Sequence, residues 1–285
     1  MHARDLAEKS RSTQGVKMPI KAALTIDVET PFAKNQVLNL LDVLRQYRIK
    51  ATFFFTGMVL EQHKDLASSL VKAGHELALH GYNHRTWKGE SIERKKDAIR
   101  AIEAFKHVTG EYSLGFRAPY GNIDRNILRA LEQNGVEYDS SVIPTLLRVE
   151  YGKITIQPTS FLKVSGVPYH PSNENIAVKG NMQIVEIPFS ILPILNLPIG
   201  FGYALLFGLN FYKFFMRFFK EDLMIVNLHP YQLCNTLMSM GVPSIVKPYY
   251  GNRVDPLPVF KEFLEFIVTY FSPEFLLMRE IAKAT

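Results

Sequence analysis

From Lys21 onward, short apolar runs alternate with segments whose apolar residues recur at helical spacing, and this rhythm limits the fold more than any other feature of the chain. Residues 22–28 are apolar except at Thr25 and Asp27 and read as a buried strand; Val37, Leu38, Leu40, Leu41 and Leu44 then mark a helix. A strand over 51–56 stops at Gly57, and a helix carrying Leu66, Leu70 and Val71 ends at Gly74. A strand over 76–80, a helix over 92–108 and a short strand over 114–118 follow, with a late strand at Leu223–Leu228. Such alternation, with loops too short for a separate domain, implies a parallel sheet covered by helices, doubly wound or closed as a barrel. In a barrel the carboxyl ends of all strands meet on one face, so residues about 200 positions apart can converge there.

The formal charge of +6 raises the question of nucleic acid, but no basic stripe with interleaved aromatics is present. The densest basic run, Arg94, Lys95 and Lys96, sits among Glu90, Glu93 and Asp97 and reads as a solvated helix face. Cys234 is the only cysteine, so no intrachain disulfide can form. Residues 1–17 are polar, mixed in charge and without an apolar core. They read as a disordered extension rather than a secretory signal, ahead of a domain spanning 18–285. The expected location is the cytoplasm, including its membrane face.

The reactive residues cluster at strand ends. His80 and His84, four apart across Gly81 and Asn83, can bind one cation from a strand-end turn. Asp27 and Glu29 share one face of the first strand, and two carboxylates so close call for a cation. One of them can ligate while the other works as a base. The resulting two-histidine, one-carboxylate set leaves positions open for water and substrate, and zinc, iron, cobalt or manganese would suit it. Arg117 ends the fourth strand, where it can brace a carboxylate, and the Pro119-Tyr120-Gly121 turn after it can aim a backbone N–H at an oxyanion. His229 ends the late strand beside Pro230, well placed as a general acid. Each motif alone has an ordinary structural reading; their order and company give them weight. His2, His63, His75, His107 and His170 receive no role.

Taken together, these motifs resemble the polysaccharide deacetylase family (carbohydrate esterase family four, the NodB homology domain) from about Lys21 to Ala284. The resemblance implies a single-domain distorted (β/α) barrel of seven or eight parallel strands. It implies Asp27 as base, His80 and His84 as ligands, Arg117 and Tyr120 in the turn, and His229 as acid. Asp139, in Tyr138-Asp139-Ser140-Ser141, matches the fourth motif and would orient Arg117 or His229. Val28 departs from the common pattern, which has a metal-binding Asp there; in the branch this chain resembles, the acidic residue two positions on takes over, here Glu29. The implied activity is metal-dependent removal of an N-acetyl or other N-acyl group from an amino sugar of a glycan or glycoconjugate. Zinc is the expected metal, with cobalt, manganese, iron or nickel as substitutes. Alternatives are hydrolysis of a small cyclic or linear amide and a catalytically inactive glycan-binding relative.

Residues 187–212 hold no charge but three prolines and three glycines. The length would permit a membrane span, yet the prolines argue against one. The expectation is a substrate-side loop followed by a helix over 205–219. Its aromatics, with Lys213, Arg217 and Lys220, could touch a membrane surface or a lipid-linked glycan, pack into the core, or cover a second copy of the chain in an oligomer.

Overall fold

A computed structural model of the chain describes residues 19–85, 91–145, 147–150, 153–156, 159–164, 166–234 and 255–285. The extension over 1–17 and Glu90 lie outside them. Seven parallel strands make the main sheet: β1 (Lys21–Val28), β2 (Thr52–Phe55), β3 (Glu76–Leu79), β4 (Gly115–Phe116), β5 (Tyr138–Asp139), β6 (Val185–Glu186) and β7 (Leu223–Leu228). Their spatial order is β7-β1-β2-β3-β4-β5-β6, and a short strand, β8 (Glu274–Phe275), runs parallel to the start of β1. The connections carry α1 (Lys34–Tyr47), α2 (Gly57–Gln62), α3 (Lys64–Lys72), α4 (Ser91–Thr109) and α5 (Arg125–Gln133). After β6 come α6 (Phe201–Phe207) and α7 (Leu209–Met216), and α8 (Pro256–Phe266) and α9 (Met278–Lys283) end the chain. The sheet curls into a distorted (β/α) barrel, as the sequence implies.

Strand alternation sorts the side chains into two cores. Ala22, Leu24, Ile26 and Val28 of β1, with Phe53 and Phe55 of β2, face the helices in one large cluster. Ala23, Phe54, Ala78, Tyr138, Val185 and Ile225 form a second, smaller cluster inside the barrel, plugged by Met278 and Ile281 of α9. Thr25 and Asp27 continue the inward face of β1, so burial there ends in a carboxylate at the strand's carboxyl end.

No β6–β7 ladder closes the barrel among the described residues. The uncharged segment does so. Ser190 Oγ accepts from Ile225 N at 2.8 Å and donates to Leu223 O at 3.2 Å, and Asn227 N donates to Ile199 O at 3.0 Å. Ile187, Phe189, Leu192, Ile199 and Phe201 are buried along this seam. The expected single helix over 205–219 is instead two, α6 and α7, broken at Gly208, whose φ of +88° is left-handed. No helix among the described residues is long and apolar enough to cross a membrane.

The interior has little slack. A Cβ at Gly115 would land inside the ring of the fully buried Tyr138 on the neighbouring strand. Gly115→Ala is therefore expected to destabilise the fold by about 2 kcal/mol or more, the scale of overpacking with displaced neighbours. Chemical denaturation of the variant beside wild type measures it.

Candidate active site

Inside the barrel, Arg117 is 2% exposed and its guanidinium lies between the faces of Phe54, 4.2 Å away, and Phe189, 4.4 Å away. Its Nε donates to Ser140 O at 2.9 Å, its Nη2 to Ser140 Oγ at 3.0 Å, and its Nη1 to Thr25 Oγ1 at 3.0 Å and Asp27 Oδ1 at 2.8 Å. Asp27 Oδ2 accepts from Asn227 Nδ2 at 3.0 Å and lies 3.7 Å from His229 Nε2. Burial opposes ionisation of Asp27, but Arg117 foremost, with His80 and His229, holds the carboxyl below its usual range.

Glu29 lies just beyond β1. Its Oε1 is 3.1 Å from His84 Nε2, 3.1 Å from His229 Nε2 and 3.5 Å from His80 Nε2. Burial again opposes the charge, and the imidazoles of His84 and His229 hold the carboxyl well below its usual range. The ligand atoms of Glu29, His80 and His84 all lie within 4.8 Å of one another, and Asp27, Glu29 and His229 form a second such group.

His80 decides what that grouping can hold. Its Nδ1 meets the Arg117 carbonyl at 2.9 Å and can do so only as a donor. Nε2 is then the ring atom turned toward the Glu29 carboxylate, buried and without a hydrogen-bond partner among the described residues. A proton on Nε2 or a cation between Nε2 and the carboxylate would satisfy both buried groups. The carbonyl–histidine arrangement is the one that orients metal-bound imidazoles. The donor set of two imidazoles and a carboxylate thus fits a divalent ion.

The backbone is bent to make this possible. Gly81 has φ +65°, and a Cβ there would sit 2.8 Å from both Asp97 Oδ2 and Pro119 Cγ. His84 has φ +46°, a conformation that costs a non-glycine residue energy and is held by its surroundings. The brace is Asp97 on α4, whose Oδ2 accepts from Tyr82 N at 2.7 Å and Oδ1 from Asn83 N at 3.3 Å. This corrects the sequence reading of Asp97 as part of a solvated face: it is buried. Within the basic run beside it, Lys96 pairs with Glu93, and Arg94 crosses to Asp124 at 2.9 Å. The Tyr120 ring, also on a left-handed residue (φ +59°), packs 4.5 Å from the ring of His84.

Gln232 accepts from His229 N through Oε1 at 3.1 Å, which leaves its amide nitrogen facing His229 Nδ1 at 3.3 Å. In the neutral ring Nδ1 then accepts and the proton sits on Nε2, toward Glu29 and Asp27. Six of the expected site residues, Asp27, Glu29, His80, His84, Arg117 and His229, thus converge, with Tyr120 at their rim. Asp139 stands apart: its Oδ1 accepts from Ser141 Oγ at 2.7 Å and its side chain meets Glu186, while Ser140 holds Arg117 and Gln232 holds His229.

Comparison with known proteins agrees with this geometry. Residues 15–138 match the family model described as polysaccharide deacetylase. That stretch is less than half of the chain, and over it the chain is similar to polysaccharide deacetylases. A peptidoglycan deacetylase of Helicobacter pylori is 29% identical over 105 residues, covering 36% of this chain and 36% of that protein, so the alignment spans about a third of that relative's length. The crystal structure of a candidate polysaccharide deacetylase from Mycobacterium smegmatis shares the fold, with a TM-score of 0.61 at 19% identity over 95% of this chain and 92% of that one. Puue allantoinase does so with a TM-score of 0.57 at 16% identity, over 99% of this chain and 97% of that one.

His80→Ala removes one of the three grouped donor side chains and is expected to abolish retention of a divalent ion through gel filtration. Elemental analysis of purified variant and wild type checks this, and equal occupancy would place the ion elsewhere.

Proposed function

We propose that the chain removes an N-acetyl or related N-acyl group from an amino sugar of a polysaccharide or glycoconjugate. One divalent ion would be held by Glu29, His80 and His84. The observation that carries this reading is the buried His80 Nε2 facing Glu29 Oε1 at 3.5 Å, beside a carboxylate, Asp27, that is separately held by Arg117. A bound ion, zinc first and cobalt, manganese, iron or nickel as substitutes, supplies Lewis acidity toward the amide carbonyl and the attacking water.

Asp27 is the proposed base. Arg117 occupies its Oδ1, and Asn227 orients its Oδ2 toward the space shared with His229. Asp27 takes a proton from the attacking water there, and His229, in its imidazolium form, supplies one from Nε2 to the leaving amine. The Tyr120 backbone N–H is the proposed oxyanion donor. Phe54 and Phe189 shield the Arg117–Asp27 pair from water, which strengthens its electrostatics.

Asp27→Asn should keep its ion and lose acetate release by about 100-fold, the scale of a positioned base. Acetate assay on N-acetylated glycans, with metal analysis of the same protein, checks both halves. Loss of the ion in this variant would make Asp27 a ligand. Turnover of cyclic amides without acetate release would move the substrate class, and glycan binding without turnover would make the chain an inactive relative.

A second feature bears on where the glycan is met. Phe207, Phe211, Phe214 and Phe218 are 41%, 48%, 52% and 42% exposed, at helical spacing across α6 and α7, with Arg217 and Lys220 beside them. Exposed phenylalanines beside cations suit the boundary of a lipid surface, and we assign this ridge to peripheral contact with a membrane, at the cytoplasmic face, that carries a lipid-linked glycan. Phe214→Ser/Phe218→Ser is expected to reduce co-sedimentation with anionic vesicles severalfold while leaving hydrolysis of a soluble glycan intact. Equal partitioning of the two proteins would return the ridge to an oligomer interface or an ordinary surface.

A further inference from the structure

Asp139 and Glu186 are paired in register on adjacent strands β5 and β6, and both are fully buried. Tyr138 and Val185 face the barrel interior, so Asp139 and Glu186 turn to the opposite face of the sheet. Beside β6, Tyr169 pairs with Glu186 as an antiparallel bridge, its backbone N–H and C=O bonded to Glu186 at 3.0 and 2.8 Å. One oxygen of each carboxyl is served by the chain: Asp139 Oδ1 by Ser141 Oγ, and Glu186 Oε1 by Val142 N at 3.0 Å. The other oxygen of each, Asp139 Oδ2 and Glu186 Oε2, is buried without a donor from another group, and the two side chains contact each other. Two bare carboxylates in contact in such a place would repel and lose hydration with no compensation, whereas one proton between them satisfies both oxygens.

Both carboxyls serve the same short segment. Val142 N is fixed by Glu186 and the Ser141 hydroxyl by Asp139; Ser141 Oγ in turn accepts from Ala118 N at 2.7 Å, and Ser140 accepts two of the Arg117 hydrogen bonds. We propose that Asp139 and Glu186 share one proton and act as a positioning pair, fixing the 140–142 strand end that holds Arg117 against Asp27. Glu186 is thereby a positioning residue for the proposed base, though it touches neither substrate nor metal ligands. The other charged or titratable groups facing the pair are Arg117, from the end of β4, and Tyr169.

The pH dependence follows in sign. Burial pushes Asp139 up to about 6, against the pull of its hydrogen bonds with Glu186 and Ser141 and of Arg117. Burial, then the Asp139 charge, pushes Glu186 well above the usual range. The folded chain thus keeps a proton that the unfolded chain has released, and stability falls as pH rises from the ordinary carboxylate range through that of the pair.

Glu186→Gln separates the shared proton from mere bulk, because its amide N–H can donate to Asp139 while its Oε1 still accepts from Val142 N. The expected result is that Glu186→Gln keeps at least about a third of wild-type acetate release, while Glu186→Ala loses about tenfold or more. Between roughly pH 5 and 8 the melting temperature of wild type should decline and that of Glu186→Gln should decline less. Equal losses in the two variants, or an unchanged pH slope in Glu186→Gln, would overturn the proposal. The activity readout rests on the proposed hydrolysis. If no protein releases acetate, that reading fails, while the melting comparison still decides whether the proton is shared.

Discussion

The ion pair between Arg117 and Asp27, closed off by Phe54 and Phe189, is the interaction on which the site depends. Arg117 acts through both its ends. Its guanidinium fixes the carboxylate on β1, and its backbone carbonyl fixes the ring of His80 beyond β3. The proposed base and the proposed metal-binding imidazole are thus referenced to one residue rather than to two separate loops. A buried pair of this kind repays its desolvation only if the remaining hydrogen-bonding groups are also satisfied, and removing one partner of such a pair typically costs about 3–5 kcal/mol. Ser140 and Thr25 provide that satisfaction, which is why a threonine interrupts an otherwise apolar strand.

The barrel supplies the register for this pairing. Inward positions of β1 read Ala23, Thr25, Asp27, growing more polar toward the carboxyl end, and those of β7 read Ile225 and then Asn227. Apolar packing and catalysis therefore occupy successive layers of one interior. The seam between β6 and β7 is closed by Ser190 and Ile199 instead of a strand ladder, which accounts for a long uncharged segment rich in proline and glycine. Such a segment can supply side chains and carbonyls to a neighbouring edge without forming a regular strand of its own.

The fold and the reactive core of the site were legible because their motifs follow one another along the chain in a recognisable order. Strand–helix alternation gave a parallel sheet covered by helices, the family resemblance implied its closure as a barrel, and Asp27, Glu29, His80, His84, Arg117 and His229 stood at strand ends. What stayed hidden was the bracing. Asn227, Gln232 and Ser140 are neutral residues whose importance exists only once a partner is placed against them. Asp97 was misread because α4 shows acids and bases in mixture, and nothing local marks the one acid that turns inward to hold the His80–His84 turn. The break at Gly208 was missed for a related reason: the apolar spacing of 205–219 runs through the glycine without interruption. Asp139 lay in a legible motif, but its partner, Glu186, is 47 positions away on a strand of two residues.

The placement of the site along the chain gives its assembly a direction in time. Glu29, His80 and His84, and the Arg117 carbonyl that orients one of them, all belong to the first four strands, whereas Asn227 and His229 arrive with β7, which docks beside β1. At about 5–20 residues per second, on the order of ten seconds of translation separate the two sets. A nascent chain could therefore hold its ligand set while the edge of β1 that β7 will cover is still open. The docking of β7 is a long-range closure of the kind that folds slowly. On the proposed reading, the ion-binding side chains are therefore complete before the residues that act on substrate, and a chain cut short of β7 holds the proposed ligands Glu29, His80 and His84 without Asn227 and His229.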